Sequence, residues 1–124
     1  MKVFVYYNLH KKCWSIKALE GKDKGRVIAH KDAVLLFDTT PKVSQAGRKR
    51  VLREKRKNVH AGIVGDWLPD TMGNDISLDD KVAFNQVTYN PYKYENFVYK
   101  ADETCYTGGE ITWMTYGKVF EVLL

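Results

Sequence analysis

The chain has 124 residues, 20 Lys and Arg against 15 Asp and Glu, a formal net charge of +5, and is 44% hydrophobic and 13% aromatic. That is the size of one ordinary domain, and domains of this size bury about two-thirds of the surface their unfolded chains expose, enough to offset ordering entropy. No window reaches the ~18 to 20 apolar residues of a bilayer span, and Asn8 and His10 interrupt the opening run too early for a secretory leader, so the expectation is a cytoplasmic protein with no membrane partner.

Residues 2–7 are β-branched and aromatic, the polar Asn8 to Lys12 breaks the run, and Cys13 to Leu19 alternates again, which predicts a β-hairpin. In its second strand Trp14, Ile16 and Ala18 share one face, as a sheet with one buried side requires. The Gly-bounded stretch from Glu20 to Gly25 is a turn, and 26–30 and 33–37 are further strands, so residues 1–40 read as an antiparallel meander.

The period changes at Thr39-Thr40-Pro41. Either Thr40, with Pro41 at the first helical position, or Ser44 caps a helix over 42–58 built from good helix formers. On a helical projection Val51, Leu52 and Val59 form a narrow apolar stripe, and Lys49, Arg50, Arg53, Arg56 and Lys57 lie opposite. Beyond it, 61–65 is apolar but glycine-rich, and Trp67 to Pro69 closes the core. Residues 69–80 read as a mobile acidic loop. A strand over 81–89, a short extended piece at 97–99, and a hairpin joining 111–116 to 119–123 across Gly117-Lys118 complete an acidic, strand-rich C-terminal half (59–124). No repeat or linker divides the chain, which reads as a single domain, 1–124.

Charge placement carries more than its total. Residues 42–57 hold 8 basic residues and 1 acidic, whereas 66–124 hold 4 basic and 10 acidic. Five cations on one helical face with only Glu54 among them repel one another, a cost that interleaved acids would remove. Three readings follow: a solvated helix partly neutralised by the acidic half, a surface for nucleic acid or a nucleotide, and a surface for an acidic protein. Tyr89, Tyr92, Tyr94, Tyr99 and Tyr106, with Lys93 and Lys100 among them, fit either a base-stacking platform or half-buried sheet tyrosines with wet hydroxyls. No GxSxG, HExxH, P-loop or dinucleotide fingerprint is present, and His10, His30 and His60 have no spacing that marks catalysis. Cys13 and Cys105 read as free thiols, and no Cys and His spacing suits zinc, so neither a metal nor a cofactor is expected.

Three stretches, KVFVYYNLHKKCWSIKALEGKDKGRVIAH from Lys2, KVSQAGRKRVLREKRKNVHAGIVG from Lys42 and YNPYKYENFVYKADETCYTG from Tyr89, together resemble a group of uncharacterised small proteins of tailed bacteriophages. The resemblance implies a setting in the host cytoplasm, accessory expression, and a stoichiometric binder that serves takeover of host machinery or evasion of host defence. It carries over no functional residue.

The expected fold is α+β, an antiparallel twisted sheet or partial barrel of about six strands with one basic helix packed on it through Val51, Leu52 and Val59. The expected function is non-catalytic binding of nucleic acid or a nucleotide through Lys49, Arg50, Arg53, Arg56 and Lys57. The alternative is an inhibitor docking on an acidic host protein with Tyr92, Tyr94 and Trp67 as aromatic contacts. A small hydrolase or nuclease is a distant third, and the oligomeric state is not legible.

Overall fold

The computed structural model describes residues 1–68 and 83–123, so the loop expected over 69–80 and the start of the strand expected from Lys81 lie outside the described residues. In chain order the elements are β1 (Lys2–Asn8), β2 (Cys13–Ala18), β3 (Val27–Lys31), β4 (Ala33–Val43), α1 (Gln45–Glu54), β5 (Ala61–Trp67), β6 (Ala83–Thr88), β7 (Val98–Tyr99), β8 (Gly109–Thr115) and β9 (Lys118–Leu123). All nine strands join one antiparallel sheet in the order β3-β2-β1-β5-β4-β8-β9-β6-β7.

Alternation decides which face is buried. Val3 and Val5 of β1 face inward with Ile16 and Ala18 of β2, and the register sets Val5 directly opposite both Ile16 and Ile63. On the other side of the sheet Val34 pairs with Met114, Met114 with Val119, and Val119 with Val87, all buried. These two belts belong to one core. The sheet must curl to join them: four steps separate β5 from β6, about 19 Å if flat at ~4.8 Å per strand, yet His60 just before β5 touches Tyr89 just after β6 at 2.6 Å.

Turns fix the register. The Asn8 side chain accepts from the backbone N–H of His10 and Lys11, both at 3.0 Å, closing the β1–β2 connection. The β8–β9 hairpin turns on Tyr116-Gly117, both at positive φ (50° and 72°), one residue earlier than expected, because a two-residue turn with the right twist needs that conformation at both positions and Gly117 adopts it freely.

One buried cluster is polar. The hydroxyls of Thr39, Tyr106 and Thr112 form a triangle, with Thr39 to Thr112 at 2.7 Å, Thr39 to Tyr106 at 3.0 Å and Tyr106 to Thr112 at 2.9 Å. A bulge in β4 between Phe37 and Thr40, with Asp38 at φ 50°, interrupts the β4–β5 pairing where Thr39 joins this cluster. Gly109 completes it by donating its N–H to Thr39 Oγ1 at 3.1 Å.

The expected α+β fold is therefore corrected: the architecture is roughly all-β, with nine strands among the described residues in place of about six and a short helix that does not pack across the sheet. The helix is shorter than 42–58 at both ends. Pro41 to Val43 stay in β4, paired with Ile63 to Ala61, and the missing N–H of Pro41 is tolerated because the β8 ladder has already ended at Thr39. At the far end Lys55 enters the left-handed conformation at φ 54° and its N–H closes on Val51 O at 2.8 Å. Of the expected stripe, Val51 is buried and Leu52 half-buried, but Val59 lies beyond the helix and is 54% exposed.

Candidate functional site

Ser44 caps α1 by accepting from the Gly47 N–H at 3.1 Å, and there is no acid in the first turn. The helix is held at its base by polar contacts to the segment after β6. Arg48 Nε donates to the carbonyls of Pro91 and Tyr94, both at 3.0 Å, and Gln45 donates to the Glu95 carbonyl at 2.9 Å. Arg48 is thus a structural cation, while Lys49, Arg50 and Arg53 point into solvent from the helix. Lys55, Arg56 and Lys57 follow in the non-helical strap that leads to β5, all exposed. The five expected cations are therefore contiguous but split between helix and strap. Arg50 alone of them has an acidic partner among the described residues, Glu54 at 3.1 Å.

The strap ends at a cavity of about 1090 Å³ lined by residues of both belts. The buried Ile63, Val87, Phe97, Met114 and Trp14 back it, and the partly exposed Tyr7 and Tyr89 and the exposed Tyr92 contribute aromatic rings. Lys57, Lys118, His10 and His60 also line it, and among the described lining residues none is Asp or Glu. Tyr7 and Trp14 meet edge to face with centroids 5.2 Å apart. The Trp14 indole nitrogen is buried with no hydrogen-bond partner, rare for a buried donor.

His60 and Tyr89 join the strap to the cavity wall. His60 Nδ1 lies 2.9 Å from the Asn58 carbonyl, which can only accept, so Nδ1 carries a proton, and in the neutral ring the Tyr89 hydroxyl donates to Nε2 at 2.6 Å. Burial raises the Tyr89 hydroxyl above the usual tyrosine range, against a smaller opposing pull from Arg48.

The remaining expected aromatic contacts are scattered. Tyr92 is 61% exposed at the cavity edge. Tyr94 is engaged within the chain: its hydroxyl donates to Glu103 at 2.6 Å, and Lys93 bonds the same carboxylate at 3.0 Å. The Tyr94 hydroxyl, and then Lys93, hold the Glu103 carboxyl below the usual range. Trp67 is half-buried against the core at the opposite end of β5, where its backbone pairs with that of Met1. Seven residues of strand separate Trp67 from His60, about 23 Å at ~3.3 Å per residue, so Trp67 and Tyr92 do not form one surface.

The three histidines are also dispersed. His30 bonds Ser15 Oγ at 2.9 Å, His10 sits at the cavity edge and His60 at its wall. Among the described residues no carboxylate bonds a histidine, and no three potential ligands gather as a metal site would require. Cys13 and Cys105 are unpaired. No helix of the described residues is long and apolar enough to cross a membrane. Sequence reasoning missed the role of Arg48 and the pairing of His60 with Tyr89, which depend on contacts far apart in the chain.

A family profile described as the Mycobacterium phage L5 gene 82 protein matches residues 1–122. The gene 82 protein of Mycobacterium phage L5 is 38% identical over 121 residues, spanning 93% of this chain and 90% of that protein. No solved structure matches.

Proposed function

We propose that this chain, which belongs to the family of the Mycobacterium phage L5 gene 82 protein, is a phage accessory protein that binds nucleic acid without catalysis, in the host cytoplasm. The observation that carries the reading is the run of exposed cations from Lys49 through Arg50, Arg53, Arg56 and Lys57, which only Glu54 offsets within the segment. Such a run destabilises itself by like-charge repulsion unless an anionic partner occupies it, and a phosphate backbone does so while releasing condensed counterions. The split between helix and strap suits backbone contact, which positions a protein without reading sequence.

The test is fluorescence anisotropy of labelled oligonucleotides at about 50 and 200 mM salt, across which five phosphate contacts weaken binding by roughly several hundredfold. The double variant Arg53→Glu, Arg56→Glu should abolish binding. Affinity that ignores salt, or survives that double charge reversal, overturns the proposal.

A second reading, an inhibitor that docks on an acidic host protein, draws on the exposed apolar Leu9, Val59 and Tyr92 near the same cations. In that case charge reversal slows association, and Tyr92→Ala speeds dissociation.

A further inference from the structure

The cationic segment and the cavity meet at one residue. Lys57 is both the last exposed cation of the strap and part of the cavity lining, so a polyanion lying along Lys49 to Lys57 is led to the cavity mouth. The cavity then offers what a phosphate backbone does not use: the partly exposed rings of Tyr7 and Tyr89, the exposed ring of Tyr92, and amide side chains of Asn58 and Gln86. No carboxylate is present among its described lining residues to repel an anion, although the chain carries 15 acids. Its volume of about 1090 Å³ lies at the upper end of small-molecule sites, which run to ~1,000 Å³, so it has room for more than one nucleotide.

Resting on the nucleic-acid reading above, we propose that this cavity takes unpaired bases of a single strand whose phosphates lie along the basic helix and strap. Each base has a flat π-face that stacks on an aromatic ring whatever its identity, and the amides are placed for base edges, as in single-strand binders that combine a cationic track with stacking platforms. A duplex keeps those faces stacked on one another and cannot fill the cavity. It is bound by the cationic segment alone. The Trp14 indole N–H, buried behind the same wall, reports on whether the cavity is filled.

The experiment compares a labelled oligo-dT with a duplex of equal length at about 50 mM salt. Wild type should bind the single strand more tightly. Tyr92→Ala, at an exposed position that does not threaten folding, should weaken single-strand binding by roughly 5- to 150-fold and leave duplex binding unchanged. The indole N–H signal of Trp14, identified by its loss in Trp14→Phe, should shift on addition of oligo-dT and not on addition of duplex. Equal binding of both nucleic acids with no effect of Tyr92→Ala overturns the cavity inference and leaves the basic surface standing. Failure to bind either nucleic acid overturns both.

Discussion

Two regions of this molecule hold polar groups inside an apolar sheet, and they do so in opposite ways. At the bulge in β4, the hydroxyls of Thr39, Tyr106 and Thr112 satisfy one another and the Gly109 backbone, and all three residues are at most 5% exposed. Around the cavity, His60 and Tyr89 bond each other and Arg48 seats the helix, but exposed cations and an exposed tyrosine stand beside them. The first region is complete in itself and its value is stability. The second leaves exposed charge without an acidic partner, which is what a surface for an anionic ligand needs.

Substitutions at the closed region should lower stability and spare binding. The largest effect belongs to Gly108→Ala. Its φ of 124° is reached freely only by glycine, and an added Cβ would sit 2.2 Å from the Thr39 carbonyl oxygen. A loss of about 3 kcal/mol is expected in urea unfolding, with nucleic-acid affinity at the wild-type value under native conditions. Next comes Thr39→Val, which keeps the shape and removes the atom at the centre of the network. Leaving buried hydroxyls and the Gly109 N–H short of a partner should cost about 2 kcal/mol. If Thr39→Val were neutral, the triangle would not be the structural device described.

At the open region the order reverses. Arg48→Met deletes the two bonds that seat α1 on the Pro91 and Tyr94 carbonyls. The expected stability loss is smaller, about 1 kcal/mol for a partly exposed charged donor, but amide exchange over α1 should rise and affinity for oligonucleotides fall. Loss of stability with unchanged affinity would show that the seating of the helix is irrelevant to binding.

A titration tests the partly buried tyrosines of both regions. The Tyr99 hydroxyl, which donates to Glu121 at 3.0 Å, is pushed up to about 12 by burial first and by that carboxylate second. An unfolded tyrosine ionises near ~10, so the unfolded chain loses its proton first as pH rises. The contribution is therefore fully present below about pH 10 and is lost through about pH 12. Tyr89, raised in the same direction, adds to the slope. Unfolding measured at pH 9 and 11 should show stability falling, and Tyr99→Phe should flatten the fall. An unchanged slope in that variant would remove Tyr99 as its source.

How much of this was legible depended on how local the cause was. The first hairpin is written in the alternation of Val3, Val5, Trp14 and Ile16 and in the turn at Asn8, all within a few residues of one another. The segment 61–65 reads from sequence as apolar but glycine-rich, with no strand assigned to it, because of Gly62 and Gly65. It is the start of β5, an interior strand between β1 and β4, and Gly62 is there because a Cβ would sit 2.4 Å from the Val5 carbonyl and 2.6 Å from the Phe4 ring. The helix was read too long because residues 42–58 have helical composition throughout, while sheet pairing claims Pro41 to Val43 and a left-handed Lys55 ends the run. The cationic residues were visible as a charge cluster. The cavity was not, since its parts come from strands that meet only when the sheet curls, as with His60 and Tyr89, 29 positions apart.

The smallest expected change in stability gives the sharpest contrast, because it should move stability and binding in opposite directions. Glu54 is the single acid within residues 42–57, and it forms an exposed i,i+4 pair with Arg50. Glu54→Gln removes that pair, which is worth only about 0.3–0.5 kcal/mol at an exposed helical site. It also frees Arg50 and raises the net charge of the segment by one. If the helix and strap are a phosphate surface, affinity for oligonucleotides should rise a few-fold at low salt, and the gain should fade as salt is added, since exposed charges are screened. A variant that is slightly less stable and binds more tightly fits only a surface whose charge is kept for a partner. Weaker binding would mean that the Arg50–Glu54 pair organises the surface, and that charge alone does not explain it.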